Sequence, residues 1–257
     1  MVIICGCSWS TRDENHPNIE FGHLISEELG MDYINLAKDA CTNFGIRLQI
    51  DYALKKYNPS LIIINATSPV RTELSIDKQR YKLDGGWQNF IGNKPTSLVE
   101  SYHGVFNYDL KHNFSENNLK NKLENVFDEH THDIYKDWFV HFYNVDIEMH
   151  KQFYILQSGI YKLINSGVPF LFSPNTFDFA EGVEMLGDDN IIQRNKFEWD
   201  IPTENFQIDG IAETLKHCIN VYGSWENSPG PKYSHHLPPE SHKEYFKRTI
   251  NQIKRIL

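Results

Sequence analysis

Leu61-Ile62-Ile63-Ile64 is four branched apolar residues in a row, with Asn58-Pro59 just before it and Asn65 just after. An unbroken run of this kind is the pattern of a strand buried on both faces, as strands in parallel sheets are. Upstream, Ile46, Ile50, Ala53 and Leu54 recur at helical spacing and mark an amphipathic helix that closes near Asn58-Pro59. Before it, Asp32–Leu36 reads as a second strand. Phe21, Leu24, Ile25 and Leu29 form a helical stripe within 19–29, ended by Gly30. Val2–Cys5 is a short apolar run that stops at Gly6. The order is βαβαβ, and strands alternating with helices imply a parallel sheet with helices on its faces.

Downstream of Leu61–Ile64 the pattern breaks near Ser75. Asp84-Gly85-Gly86, Gly92-Asn93 and the polar stretch 113–118 read as loops, with a short helix around Leu119, Leu123 and Val126-Phe127. Residues 75–140 are therefore expected to be a helical insertion over the sheet rather than a separate domain. A long helix is expected at about 146–166, ended by Gly167, followed by a strand at Val168–Phe172 that Ser173-Pro174 stops. The spans 211–222 and 240–257 read as the last helices. The expected architecture is one domain over 1–257, a three-layer α/β/α sandwich with a parallel sheet of about five strands.

Composition narrows the function. The 257 residues carry a formal net charge of -9, which argues against binding a nucleic-acid backbone, since that needs clustered Lys and Arg. No apolar run approaches the roughly 18 residues of a membrane span, and the first one lacks the basic start and long apolar centre of a signal peptide. The four cysteines, Cys5, Cys7, Cys41 and Cys218, show no framework spacing and read as reduced thiols of a cytoplasmic protein.

In open α/β sheets ligands sit beyond the carboxyl ends of the strands. That singles out Gly6-Cys7-Ser8-Trp9-Ser10, Ala37 to Asn43, Asn65 to Arg71 and Ser173-Pro174-Asn175. Ser8 follows Gly6 on a strand-to-helix turn, which can lift the hydroxyl above the sheet and leave its own N–H free for an oxyanion. A serine hydroxyl needs a base within hydrogen-bond reach to act as a nucleophile. Near the other end, His235-His236-Leu237-Pro238 precedes a helix, where a histidine can be fixed in one tautomer and titrate near neutrality. The plain alternative is a turn serine and a polar surface loop.

Taken together, these blocks resemble the SGNH (GDSL-like) hydrolase superfamily, especially the SGNH-like proteins common in phage genomes. Gly6-Cys7-Ser8-Trp9-Ser10 resembles its nucleophile block, Gly-Asp-Ser-x-Ser/Thr. Asn35-Leu36-Ala37-Lys38-Asp39-Ala40-Cys41-Thr42-Asn43 resembles the second block, Leu61–Arg71 stands where the third block ends a buried strand, and His236-Leu237-Pro238 resembles the last. The resemblance implies a serine esterase acting on an ester of a small molecule or carbohydrate, with no metal or organic cofactor. Ser8 would attack the carbonyl and His236 would take its proton. The N–H groups of Ser8 and Ala40, with a side chain from Asn65, Thr67 or Ser68, would hold the oxyanion.

The chain departs from the family pattern in four places. Tyr233 and Ser234 stand where an acid would orient the histidine, Ala40 replaces a glycine, Ser68 falls on the third-block Asn, and Cys7 replaces an Asp. Losing the orienting Asp costs about 10⁴ in turnover in a related triad. A catalytically degraded binding module for a glycan or acylated ligand therefore stays open, with Trp87, Trp138, Trp199, Trp225, Tyr81 and Tyr102 as an aromatic platform. So does an O-acyltransferase. Arg71 and Arg12 could meet a substrate carboxylate or phosphate, or make surface salt bridges. The ligand-rich run Asp128-Glu129-His130-Thr131-His132-Asp133, with His141, Asp146 and His150, lacks a His-Glu-x-x-His pattern and reads as a solvated turn. Cys7 as an alternative nucleophile reads better as a small buried residue.

Overall fold

The computed structural model describes residues 1–11, 18–38, 41–67, 72–76, 98–102, 141–142, 145–174, 199–207 and 239–257. Its strands are β1 (Val2–Cys5), β2 (Tyr33–Asn35), β3 (Leu61–Asn65), β4 (Thr72–Ile76), β5 (Leu98–Tyr102) and β6 (Phe170–Ser173). Its α-helices are α1 (Phe21–Leu29), α2 (Asn43–Lys56), α3 (Val145–Ser166) and α4 (Pro239–Ile256). The main sheet is parallel with order β2-β1-β3-β6. The protein is thus of the α/β class.

Alternation within the strands explains how the sheet is covered. Ile3, Cys5, Ile62, Ile64, Phe170 and Phe172 pack with Ile46, Ile50 and Ala53 of α2 and with Leu156, Ile160 and Leu163 of α3. Val2, Ile4, Leu61, Ile63 and Leu171 pack with Phe21 and Ile25 of α1 and with Tyr245 and Ile253 of α4. Successive strand side chains point to opposite faces, so a run such as Leu61–Ile64 serves both clusters. Leu61, Ile62, Ile63 and Ile64 are all fully buried, each contributing about 1.5–3 kcal/mol of apolar transfer. Helices α1 and α3 stop where expected, at Gly30 (φ 62°) and Gly167 (φ 69°). No atom crowds a Cβ at either position, so the left-handed backbone alone calls for glycine there.

Two expectations are met only in part among the described residues. Among the described residues the main sheet has four strands, where about five are expected, and beyond β6 a single parallel bridge, Phe172 to Phe206, continues it. What is described of the expected helical insertion is an antiparallel pair, β4 with β5, in register from Thr72–Tyr102 to Ile76–Leu98. Thr72-Glu73-Leu74-Ser75-Ile76 alternates apolar or β-branched with polar residues, which is the period of a strand rather than of a helix. The expected helices around Leu119–Phe127 and at 211–222 lie outside the described residues.

Candidate active site

Ser8 opens a single 3-10 turn, Ser8–Ser10, just past the end of β1. The turn is closed by the Ser10 N–H on Cys7 O (2.9 Å) and the Thr11 N–H on Ser8 O (3.3 Å). No acceptor takes the Ser8 N–H among the described residues. The Ser8 side-chain oxygen is buried and has no hydrogen-bond partner there either. A buried hydroxyl without a partner costs free energy, so it calls for an explanation such as a bound water or a chemical task.

The turn is braced from both sides. Gln49, in the middle of α2, accepts the Gly6 N–H on Oε1 (2.6 Å) and donates from Nε2 to Gly6 O (3.0 Å). The same Nε2 lies 3.2 Å from Cys41 Sγ. Gly6 also has no room for a side chain: a Cβ would lie 2.6 Å from Ser10 Oγ and 2.9 Å from Ser10 Cβ. Ser10 is therefore folded back over the glycine. Its carbonyl accepts from Asn35 Nδ2 (2.8 Å), and its hydroxyl accepts from Asn65 Nδ2 (3.0 Å).

Asn65 is the first link of a buried polar chain that crosses the strand ends. Its Oδ1 accepts from the Tyr245 hydroxyl (2.9 Å), which lies 2.8 Å from Ser173 Oγ. Ser173 in turn donates to Gln207 Oε1 (2.6 Å). Burial pushes the Tyr245 phenol well above its ordinary range, against the opposing effect of its bonds to Ser173 and Asn65, so it remains a protonated donor. Two hydroxyl protons cannot serve three contacts whose outer ends are both carbonyl oxygens. The chain closes fully when either amide turns end for end, since each carries an acceptor and a donor. With Gln207 turned, hydrogen bonds run from Gln207 through Ser173 and Tyr245 to Asn65, whose NH₂ then faces Ser10. With Asn65 turned, they run the other way.

The next strand end is held by α2. Thr42 caps that helix by accepting the Gly45 N–H (3.1 Å), and Asn43 binds both backbone groups of Thr67. Cys5 and Ile64 are partners in the β1–β3 ladder, so Ser8 and Thr67 each stand three residues past the same rung. Thr67 Oγ1 is, like Ser8 Oγ, buried without a partner among the described residues. Of the three side chains expected to face an oxyanion, then, Asn65 has both amide ends engaged and Thr67 has an unengaged hydroxyl. Ser68 lies outside the described residues, as do Ala40, Arg71, Arg12, Tyr233, Ser234, His235 and His236.

The histidine that is described near the last helix is His242, in the first turn of α4. Its Nδ1 accepts the Phe21 N–H (3.3 Å) and its ring stacks on Phe21, so it caps α1 from another helix. Glu20, next to Phe21, and Ser241, next to His242, each bury a side-chain oxygen without a partner among the described residues. Cys7 is buried in the apolar cluster with Cys5, whose thiol burial pushes well above its ordinary range. Trp199 packs against Phe153 (4.6 Å) and Phe172 (4.7 Å), on the core rather than in a sugar platform. Trp87, Trp138, Trp225, Tyr81 and the run 128–133 lie outside the described residues. Among the described residues no three His, Cys, Asp or Glu gather into a metal-binding group, and no helix is long and apolar enough to cross a membrane.

Gln49 and Tyr245 carry the site's bracing yet were not singled out from sequence. The signal was a polar residue on an otherwise apolar helical stripe, Gln49 between Ile46, Ile50 and Ala53. In comparison with known proteins, no family model, curated protein or solved structure matches this chain.

Proposed function

We propose that this protein is a serine ester hydrolase of the SGNH type, with the β2-β1-β3-β6 sheet as the centre of a flavodoxin-like three-layer α/β/α sandwich. The observation that carries the reading is Ser8. It sits on a braced turn at the carboxyl end of a central parallel strand, with its hydroxyl and its N–H both unengaged among the described residues. Ser8 is the nucleophile, His236 the base, and the N–H groups of Ser8 and Ala40 hold the oxyanion with a hydroxyl from Thr67. The substrate is an ester of a small molecule or carbohydrate. The reduced thiols of Cys5, Cys7 and Cys41 suit a cytoplasmic setting.

The test is hydrolysis of p-nitrophenyl acetate and butyrate by the wild type and by Ser8→Ala. Turnover lost in the variant supports the esterase. Wild-type turnover no higher than that of Ser8→Ala refutes it.

One observation favours a second reading. The Ser8 hydroxyl is shut away from solvent. A fold that keeps the family's serine but closes it off would serve as a binding module for a glycan or acylated ligand. Ligand binding that survives Ser8→Ala, without turnover, would select that reading.

A further inference from the structure

We infer that Tyr245 is a positioning residue for Ser8, acting through Asn65 and Ser10. The inference rests on the reading of Ser8 as a nucleophile, and it assigns a role to α4 that lies outside the turn itself.

The path is short and wholly buried. Tyr245 is fully buried, Asn65 and Ser10 are each 1 % exposed, and the two linking hydrogen bonds are 2.9 and 3.0 Å. Of the two closed arrangements, the one with Gln207 turned puts the tyrosine proton on Asn65 Oδ1, and this decides which end of the amide meets Ser10. With the phenol donating, the NH₂ end faces Ser10 Oγ, and the serine accepts there while keeping its own proton. Without the phenol, nothing distinguishes the two ends of the Asn65 amide on that side. Ser10 is the last residue of the Ser8–Ser10 turn and is folded back onto Gly6, so the turn has contacts at both ends. Gln49 holds the front of the turn and Asn65 the back. Tyr245 also binds Ser173, so the same phenol ties the carboxyl ends of β3 and β6 to one point.

A side chain serving only as core packing would affect stability and leave chemistry alone. A positioning residue affects the chemical step, because small misplacements of reacting groups are costly.

The experiment compares Tyr245→Phe and Ser10→Ala with Ile253→Val, a control in the apolar cluster on the same buried face of α4. Two quantities are read where all variants are folded: kcat and KM for p-nitrophenyl acetate, and the rate of fluorophosphonate labelling at Ser8, located by mass spectrometry. Tyr245→Phe is expected to lower kcat and the labelling rate by about tenfold or more with KM unchanged. Ser10→Ala should do the same, and the double variant should be little worse than either alone, because both cut one path. Ile253→Val should leave both rates as they are. Wild-type rates in Tyr245→Phe would overturn the positioning role while leaving the esterase standing. A wild type that neither hydrolyses the ester nor labels at Ser8 would overturn both.

Discussion

Asn43 holds Thr67 by both of its backbone groups, accepting the N–H on Oδ1 at 2.8 Å and donating from Nδ2 to the carbonyl at 3.2 Å. This is a side chain standing in for a strand neighbour where the ladder of β3 has ended. Asn43→Ala leaves a buried donor and a buried acceptor without that partner, at about 1–3 kcal/mol for each group left unsatisfied. The expected outcome is a urea midpoint lowered at unchanged slope. A midpoint equal to that of the wild type would show that Thr67 is held by something else.

Gly6→Ala places a methyl where Ser10 already stands, 2.6 Å from its hydroxyl oxygen. The side chain of Ser10 is too short to swing clear without moving the turn. The substitution should cost about 1–3 kcal/mol as overpacking and remove any Ser8-dependent ester hydrolysis. Thermal unfolding and p-nitrophenyl acetate turnover measure the two effects separately. Full turnover would mean that the Ser8 turn tolerates a displaced Ser10.

His242→Phe keeps a flat ring against Phe21 and removes the acceptor of the Phe21 N–H. The first N–H groups of a helix have no intrahelical partner, so losing this one should cost about 1–3 kcal/mol. Hydrogen exchange should quicken at the start of α1 in the variant and stay as in the wild type across β3. Unchanged exchange at Phe21 would show that the imidazole is only a packing surface.

Asp51 joins α2 to α3. Its carboxylate binds Arg47 (2.6 Å) and Lys162. Partial burial would raise its pKa, but the two cations more than offset this and hold it below the ordinary carboxylate value. Its folded pKa is therefore depressed relative to the unfolded chain, whose aspartates titrate near about 3.9. The contribution is present above that pH and is lost as pH falls through the folded value. The pair is partly exposed, so solvent screening keeps it below about 1 kcal/mol. Asp51→Asn should lower the urea midpoint slightly at neutral pH and meet the wild type at acid pH, so the acid side of a plot of midpoint against pH is flatter in the variant. An acid limb as steep as that of the wild type would refute the assignment.

Much of the architecture was legible because it is written in apolar runs and in glycine. The unbroken Leu61–Ile64 stretch gave a strand buried on both faces, and Gly30 and Gly167 marked helix ends that the backbone requires. The β4–β5 pair was missed because each strand is short and its partner lies across an intervening segment, and pairing is a long-range choice that local pattern only permits. Ser8 and Thr67 could be singled out as candidates because strand ends are where such folds place ligands. Asn65 was placed correctly in the chain, but its engagement with Ser10 and Tyr245 could not be read, since Tyr245 follows it by 180 residues. Hydrogen-bond partners so far apart leave no periodic trace.

The parallel sheet also constrains how the chain assembles during synthesis. Val2 pairs with Tyr33 on one side and with Leu61 on the other, while Ile62 must wait for Phe170. Each pairing closes a longer loop than the last, so the entropy to be overcome rises with every strand added. On the ribosome β1 is made well before β3, and β3 well before β6. Until residue 173 has emerged, one edge of β3 lacks its neighbour and offers unpaired backbone N–H and C=O groups to any other nascent strand.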